Sequence, residues 1–395
     1  MFSLFRRLSS HRALVASASL ITAVVVIPPL WAGQAGPIYL LPDAEYFVAI
    51  DNVCAWPNLK RLPGGELAVA IYNKPEHGML CGDIELWVSS DDGRSWVRRS
   101  TISDHSEDPE LVRMNHTMGV TRDGSLVALV SGWSKGRKLP LLPVQICISE
   151  DQGRTWQRSI CPDPAIAKLV PHGDIVAGPD GTLTASLYGS QPDPTAPRGA
   201  RAHSMTVRSR DHGRTWTDLR PLTADGGETS LLRLRSGKWL AAVRREGQME
   251  LALALTMASV SLFTSNDEGN TWQASDLPLS LPGQHPGHLL ELKDGRLLVS
   301  YGSRITGMYG VCARVSDDQG KTWSRPKVLI SAPGPMDSGY PSTVEMDDGT
   351  LVTAYYAGPR SVASARKYSP YAMPWHQRYH MGICRWKPVD FEFVR

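Results

Sequence analysis

An eight-residue pattern, Ser-x-Asp-x-Gly-x-Thr/Ser-Trp, occurs five times in this chain and constrains its fold more than any other feature. The copies occupy residues 89–96, 149–156, 209–216, 265–272 and 316–323, with successive starts 60, 60, 56 and 51 residues apart. Near-constant spacing of this size is the signature of a structural unit repeated around or along an axis. Each copy also has a local physical meaning. In SEDQGRTW, Asp151 can accept bonds from the backbone amides of its own turn, Gly153 can take a positive φ, and Trp156 carries a large apolar face back between sheets. The aspartates therefore read as turn formers. One or two carboxylates per copy are too few for a calcium loop.

A second repeat lies between the boxes: an extended apolar segment, a turn with glycine, and another apolar segment. The turn glycines are Gly65, Gly124, Gly181, Gly237, Gly295 and Gly349, so six copies are present. Each copy reads as two short strands joined by a tight corner. Adding the strands before and after each box gives four strands per repeat. The expected fold is all-β: a six-bladed β-propeller with four-stranded antiparallel blades and five box turns, an architecture that protects its sheet edges. The last repeat has no box. Residues 381–386 can supply one of its strands, and residues 45–50, EYFVAI, are expected to supply the missing outer strand from the other end of the chain.

By length alone, 395 residues could hold two domains. The repeats occupy 43–395 and leave no room for a second module. Residues 1–42 read differently. Arg6, Arg7 and Arg12 precede an uncharged stretch that starts at Ala13, has an apolar core reaching Trp31, and is followed by AGQAG. This is the pattern of a signal peptide cleaved near Ala35, or of a retained single membrane anchor. The propeller is expected to be secreted or periplasmic, or membrane-anchored outside the cytoplasm. The formal charge of +3 equals those three arginines, since the remaining 39 basic and 39 acidic residues cancel. Nothing in that balance suggests a nucleic-acid partner. The six cysteines have no CxxC or zinc spacing. After export they could form disulfides, with Cys147 and Cys161 flanking the second box as the local pair; buried free thiols are the alternative.

In a four-stranded unit the first hairpin turn and the box turn share one face. Starts of first strands, ends of second strands and starts of third strands share the other, and ligand-binding residues are expected there. First-strand starts contribute Trp56, Asn58, His116, His172, Glu228, His285, His288 and Tyr340. Second-strand ends and following loops contribute Lys74, Glu76, His77, Trp133, Tyr188, Arg244, Arg245, Arg304, Tyr355, Tyr356 and Arg360, and Asp83 lies near the start of a third strand.

Across residues 43–395 this box-and-strand pattern resembles the six-bladed sialidase superfamily. The resemblance implies hydrolysis of terminal sialic acids with retention, by a tyrosine nucleophile, a glutamate that activates it, an acid in the first blade, and three arginines on the sugar carboxylate. GGETSLLRLRSGKWLAAVR resembles the family segment that places the glutamate at Glu228 and an arginine at Arg244. YGSRITGMYGVCARVSDDQGKTW points to Arg304, and DSGYPSTVEMDDGTLVTAYY to Tyr340 as nucleophile. The chemistry is coherent. A carboxylate nucleophile would be repelled by the substrate's own carboxylate, whereas a tyrosine with a normal pKa near 10 needs Glu228 to take its proton. Arg244 and Arg304 could bind the carboxylate bidentately.

The chain departs from the family in its first repeat. CAWPN puts Ala55 or Trp56 where Arg-Ile-Pro is expected, and AIYNKPEHG stands where another arginine is expected; Lys74 there brings charge without a guanidinium fork. Glu76, His77 and Asp83 occupy the region of the acid, with Asp83 the first choice and Glu76 beside it. Lys74, His77, His116 and Arg360 join Arg244 and Arg304 as candidate substrate-binding residues. The expected function is an exported retaining exo-glycoside hydrolase acting on terminal sialic acid or a related acidic sugar, with no metal or cofactor. The alternatives are a non-catalytic glycan- or protein-binding propeller, and a propeller hydrolase or lyase acting on another acidic sugar.

Overall fold

The computed structural model describes residues 41, 43–54, 56–78, 80–135, 141–192, 200–245, 257–332, 337–358 and 379–393. Apart from one helical turn, α1 (Pro164–Ala167), the regular structure among them is all β. β1 (Glu45–Asp51) stands ahead of the repeats. The first repeat is an antiparallel sheet of β2 (Asn58–Arg61), β3 (Leu67–Tyr72), β4 (Ile84–Ser89) and β5 (Val97–Ser103). The fourth has β14 (Thr229–Arg233), β15 (Trp239–Arg245), β16 (Ser259–Ser265) and β17 (Gln273–Pro278). The fifth has β18 (Gln284–Glu291), β19 (Leu297–Ser303), β20 (Gly310–Ser316) and β21 (Lys327–Ser331).

The second and third repeats depart from the expected separate sheets. β6 (Leu111–Val120), β7 (Leu126–Ser134), β8 (Leu141–Ser149) and β9 (Gln157–Ile160) share one eight-stranded sheet with β10 (Val170–Ala177), β11 (Leu183–Pro192), β12 (Ala200–Ser209) and β13 (Thr217–Thr223). The two antiparallel meanders join through a parallel pairing of β6 and β10 at Asp174 and Met118. Gly119 explains the close approach, because a Cβ there would stand 2.3 Å from the Ile175 carbonyl oxygen.

The sixth sheet has the order β1, β24 (His380–Trp386), β23 (Leu351–Ala357), β22 (Gly339–Glu345). β1 pairs antiparallel with β24, Glu45 opposite Arg385 and Asp51 opposite His380, so the segment expected to complete the last repeat does so. Tyr46 Oη adds a bond of 2.9 Å to the Leu329 carbonyl of the fifth sheet.

Second strands such as β3, β19 and β23 are buried along their whole length. They read as continuous apolar runs because both faces are covered, whereas outer β9 is exposed throughout. Apolar cores join each repeat to the next. Ile71 and Val112 share one cluster with Ile383, Val127 shares one with Leu187, Leu222 with Val243, Leu262 with Leu289, and Ala313 with Trp386.

The box turns are tied within themselves. Asp151 accepts the amides of Arg154 and Thr155 at 2.9 Å and the Thr155 hydroxyl at 2.6 Å. Ser149 Oγ donates to Asp151 and accepts the Gly153 amide, both at 2.7 Å, and Gly153 has φ 82°. The six cysteines are free thiols. Cys147 and Cys161 do not bridge because they point into different apolar cores.

Candidate active site

The starts of all six first strands converge on one cavity of about 170 Å³. Trp56, His116, His172, Glu228, His288 and Tyr340 each reach it from a different repeat, and His77, Trp133 and Tyr188 reach it from second-strand ends. Local irregularities aim them. Register shifts interrupt β6 at Arg113/Asn115, β10 at His172/Val176, β18 at Gln284/Gly287 and β22 at Gly339/Ser342. Such bulges turn side chains out of the pleat. Tyr340 has φ 47° and Trp56 φ 38°, a left-handed backbone that is costly for bulky aromatic residues. Gly173, with φ 76°, is required because a Cβ there would stand 2.2 Å from the Thr229 carbonyl oxygen. Its own carbonyl is held by Asn58 and, at 2.7 Å, by the Thr117 hydroxyl.

Tyr340 Oη donates to Glu228 Oε1 at 2.5 Å, although the two residues are 112 apart in sequence. The other carboxylate oxygen of Glu228 takes Arg244 Nη1 at 2.8 Å. Burial would raise the Glu228 carboxyl, but Arg244, His172 and the tyrosine hydroxyl outweigh it and bring it down to about 2. For Tyr340, burial and then the Glu228 charge push the hydroxyl well above its ordinary value. The resting pair is therefore a carboxylate accepting a hydrogen bond from a neutral phenol, poised for proton transfer once a reacting centre draws charge from the oxygen. The His172 ring lies 5.9 Å from the Tyr340 ring, and burial lowers its pKa against the pull of Glu228.

Two further carboxylates are buried nearby. Asp337 meets Arg304 Nη2 at 3.4 Å, Tyr356 Oη at 2.6 Å, Tyr379 Oη at 3.1 Å and the His77 Nδ1 atom. Burial opposes its ionisation, yet His77 and Arg304 hold it well below the usual carboxylate range. Asp174 pairs with Lys60 and, at 3.2 Å, with His288 Nε2. Arg304 also lies over the Tyr340 ring, 5.8 Å from its centroid. Arg244, Arg304, Lys60 and His288 thus each face a carboxylate, and the described cavity wall carries no lysine or arginine.

Of the residues given a catalytic or substrate-binding role from sequence, Tyr340, Glu228, His77 and His116 line the cavity. His116 faces the carbonyls of Met114 and Ala70 at 3.1 and 3.2 Å, and burial holds it at about 4 despite those acceptors. Arg244 and Arg304 are buried behind the wall, against Glu228 and Asp337. Asp83 is not in the wall; it is bonded to His105 at 2.5 Å and to the His105 amide at 2.9 Å. Glu76 is buried outside the wall, its carboxyl raised by burial. Lys74 is likewise outside it, its carbonyl accepting the Cys54 amide at 2.5 Å. Arg360 lies outside the described residues. No group of His, Cys, Asp and Glu suited to a metal ion occurs among the described residues. Sequence reasoning missed Asp337, Asp174 and Lys60. Asp337 sits three residues ahead of Tyr340 in DSGYPST, with no repeat counterpart to draw attention to it.

The BNR repeat-like domain family matches residues 65–353. The chain belongs to that family. The sialidase-superfamily resemblance read from the boxes is upheld at this level. A curated relative of this BNR repeat-like chain, a sialidase of Paraclostridium sordellii, is 22% identical over 244 residues, which span 56% of this chain and 57% of that protein. The chain thus covers little more than half of that relative's length. Among solved structures, a protein of unknown function from Dyadobacter fermentans matches with a TM-score of 0.66 at 20% identity, covering 88% of this chain and all of that one. Trypanosoma rangeli sialidase in complex with sialic acid matches with a TM-score of 0.63 at 15% identity, covering 88% of this chain and 59% of that one. At these identities the structural likenesses establish a shared fold.

Proposed function

We propose that this protein is a retaining exo-glycoside hydrolase in which Tyr340 is the nucleophile and Glu228 the base that receives its proton. The single observation that carries the reading is the 2.5 Å bond from Tyr340 Oη to Glu228, formed across two repeats inside the cavity. The fold reading that goes with it is a six-bladed propeller: six four-stranded meanders, with β1 completing the last, and with shared cores linking successive repeats. The substrate class proposed first is terminal sialic acid or a related acidic sugar, which a phenol attacks without the charge repulsion a carboxylate would meet. Arg244 and Arg304 would then exchange part of their bonding to Glu228 and Asp337 for the sugar carboxylate. Residues 1–42 are proposed to direct export, with the propeller outside the cytoplasm; fractionation of the full chain by compartment and by detergent extraction tests this.

The closed pairing of Arg244 and Arg304 favours a second reading, a site for a glycan whose recognised part bears no charge. Aryl glycosides of sialic acid, uronic acids and neutral sugars, offered side by side, discriminate the two readings. Turnover of the acidic members, abolished in Tyr340→Phe, supports the first reading; turnover confined to neutral members supports the second. Saturable glycan binding without product on any member leaves a binding propeller and removes the hydrolase.

A further inference from the structure

We propose that His77, oriented by Asp337, is the group that protonates the leaving oxygen, a role the sequence had placed first on Asp83. The inference rests on the hydrolase reading above. A retaining mechanism needs an acid that reaches the same space as the nucleophile. Among the three residues of the first repeat considered for that role, His77 alone lines the cavity with Tyr340.

Its surroundings fix the ring. Asp337 lies 260 residues away in sequence and is buried, with 6% of its side chain exposed against 31% for His77. A carboxylate can only accept, so the His77 Nδ1 atom facing Asp337 carries the hydrogen, and the Nε2 edge is the one able to act in proton transfer. Trp56 packs edge-to-face on the imidazole, 4.7 Å between centroids, and holds its plane. Tyr356, Tyr379 and Arg304 converge on the same carboxylate and keep Asp337 in place. Arg304 also lies against the Tyr340 ring, so one guanidinium braces both sides of the reaction.

The step balances without any further reactant but water. Tyr340 Oη attacks the anomeric carbon and passes its proton to Glu228. The bond from that carbon to the leaving oxygen breaks, and protonated His77 gives its proton to that oxygen, releasing an alcohol. In the second half, neutral His77 takes a proton from water as the water oxygen attacks the glycosyl-tyrosine carbon. The Tyr340 oxygen leaves and recovers its proton from Glu228.

The test compares 4-nitrophenyl and methyl α-sialosides, or the matching pair for whichever sugar the wild-type protein hydrolyses. A nitrophenolate leaves without protonation and a methoxide does not. His77→Ala should therefore lower kcat/KM for the methyl glycoside by about 100-fold or more and for the nitrophenyl glycoside by less than about tenfold. Asp337 is a positioning residue, and Asp337→Asn should tilt the leaving-group dependence in the same direction. Because Asp337 is buried among several donors, His77→Gln, which leaves those donors bonded, is the second variant and should give the same split. An equal loss on both substrates overturns the acid role, as does a selective loss on the methyl glycoside in Glu76→Gln or Asp83→Asn. Those results leave the hydrolase reading intact. Absence of wild-type turnover on every aryl glycoside removes both.

Discussion

The box turns and the cavity are both built around carboxylates, but they satisfy them over very different ranges. Asp151 finds its partners between Ser149 and Thr155, and the same local closure recurs at Asp91, Asp211, Asp267 and Asp318. In the cavity, Glu228 is bonded to a tyrosine 112 residues away and Asp337 to a histidine 260 residues away. The box aspartates are repeated, exposed or half-buried, and bonded within their own turns, so losing one carboxylate disturbs one corner. The cavity groups are single, buried and coupled, so altering one changes the charge and hydrogen bonding of several others.

The sharpest way to break this contrast is Tyr340→Phe. The variant keeps the ring packing and loses only the hydroxyl, so turnover should fall by about a thousandfold or more while the melting temperature stays close to wild type. Steady-state kinetics and calorimetry on the same sample check it, and a large stability loss with activity retained would reverse the assignment of the two regions. Second in size is removal of β1. Starting the chain after Asp51 strips the outer strand from β24, and the whole domain should melt earlier in one cooperative step. An unchanged transition would mean that β1 is dispensable.

A smaller effect is expected at a box. Asp151→Ala removes the acceptor of two amides and two hydroxyls and should lower the melting temperature by about 2–4 °C, with kcat untouched. A kinetic defect would join the two regions that the geometry separates. The smallest expected effect is a gradual one with pH. His116 is held at about 4, below its unfolded value of 6.5, so the unfolded chain takes up the proton first as pH falls. Its contribution is complete above pH 6.5 and declines as pH drops toward 4, by up to about 3 kcal/mol. His172 and His203, also lowered by burial, add to the same trend. Melting temperatures from pH 7 to 4 should fall, and fall less in His116→Gln; equal slopes in the two proteins would show that His116 takes up its proton equally in the folded and unfolded states.

The range of the interactions also explains what could be read from the chain. The boxes and the glycine turns recur and close on themselves, so Gly153 could be assigned a positive φ from neighbouring residues alone, and it has one. Their register told which strand ends would meet. Tyr340, Glu228, His77 and His116 were selected on that basis, and they do share a cavity. Register did not tell which way a side chain turns. Asp83 and Glu76 occupy the expected stretch yet point elsewhere, because His105 captures the first and burial encloses the second. The joined sheet of the second and third repeats also escaped, since it depends on Gly119 letting two backbones touch.

The sequence by itself determined the all-β repeat, the positions of the tight turns, the strand that completes the last sheet and the short set of residues from which the site is drawn. These follow from contacts within a few residues or from a pattern repeated down the chain. Only the tertiary structure decided that Tyr340 bonds Glu228, that Arg244 and Arg304 face internal carboxylates, and that Asp337 stands behind His77. Apart from Arg244 and Glu228, which share one repeat, those pairings join residues from different repeats, and their geometry is set by bulges and buried packing that have no local signature.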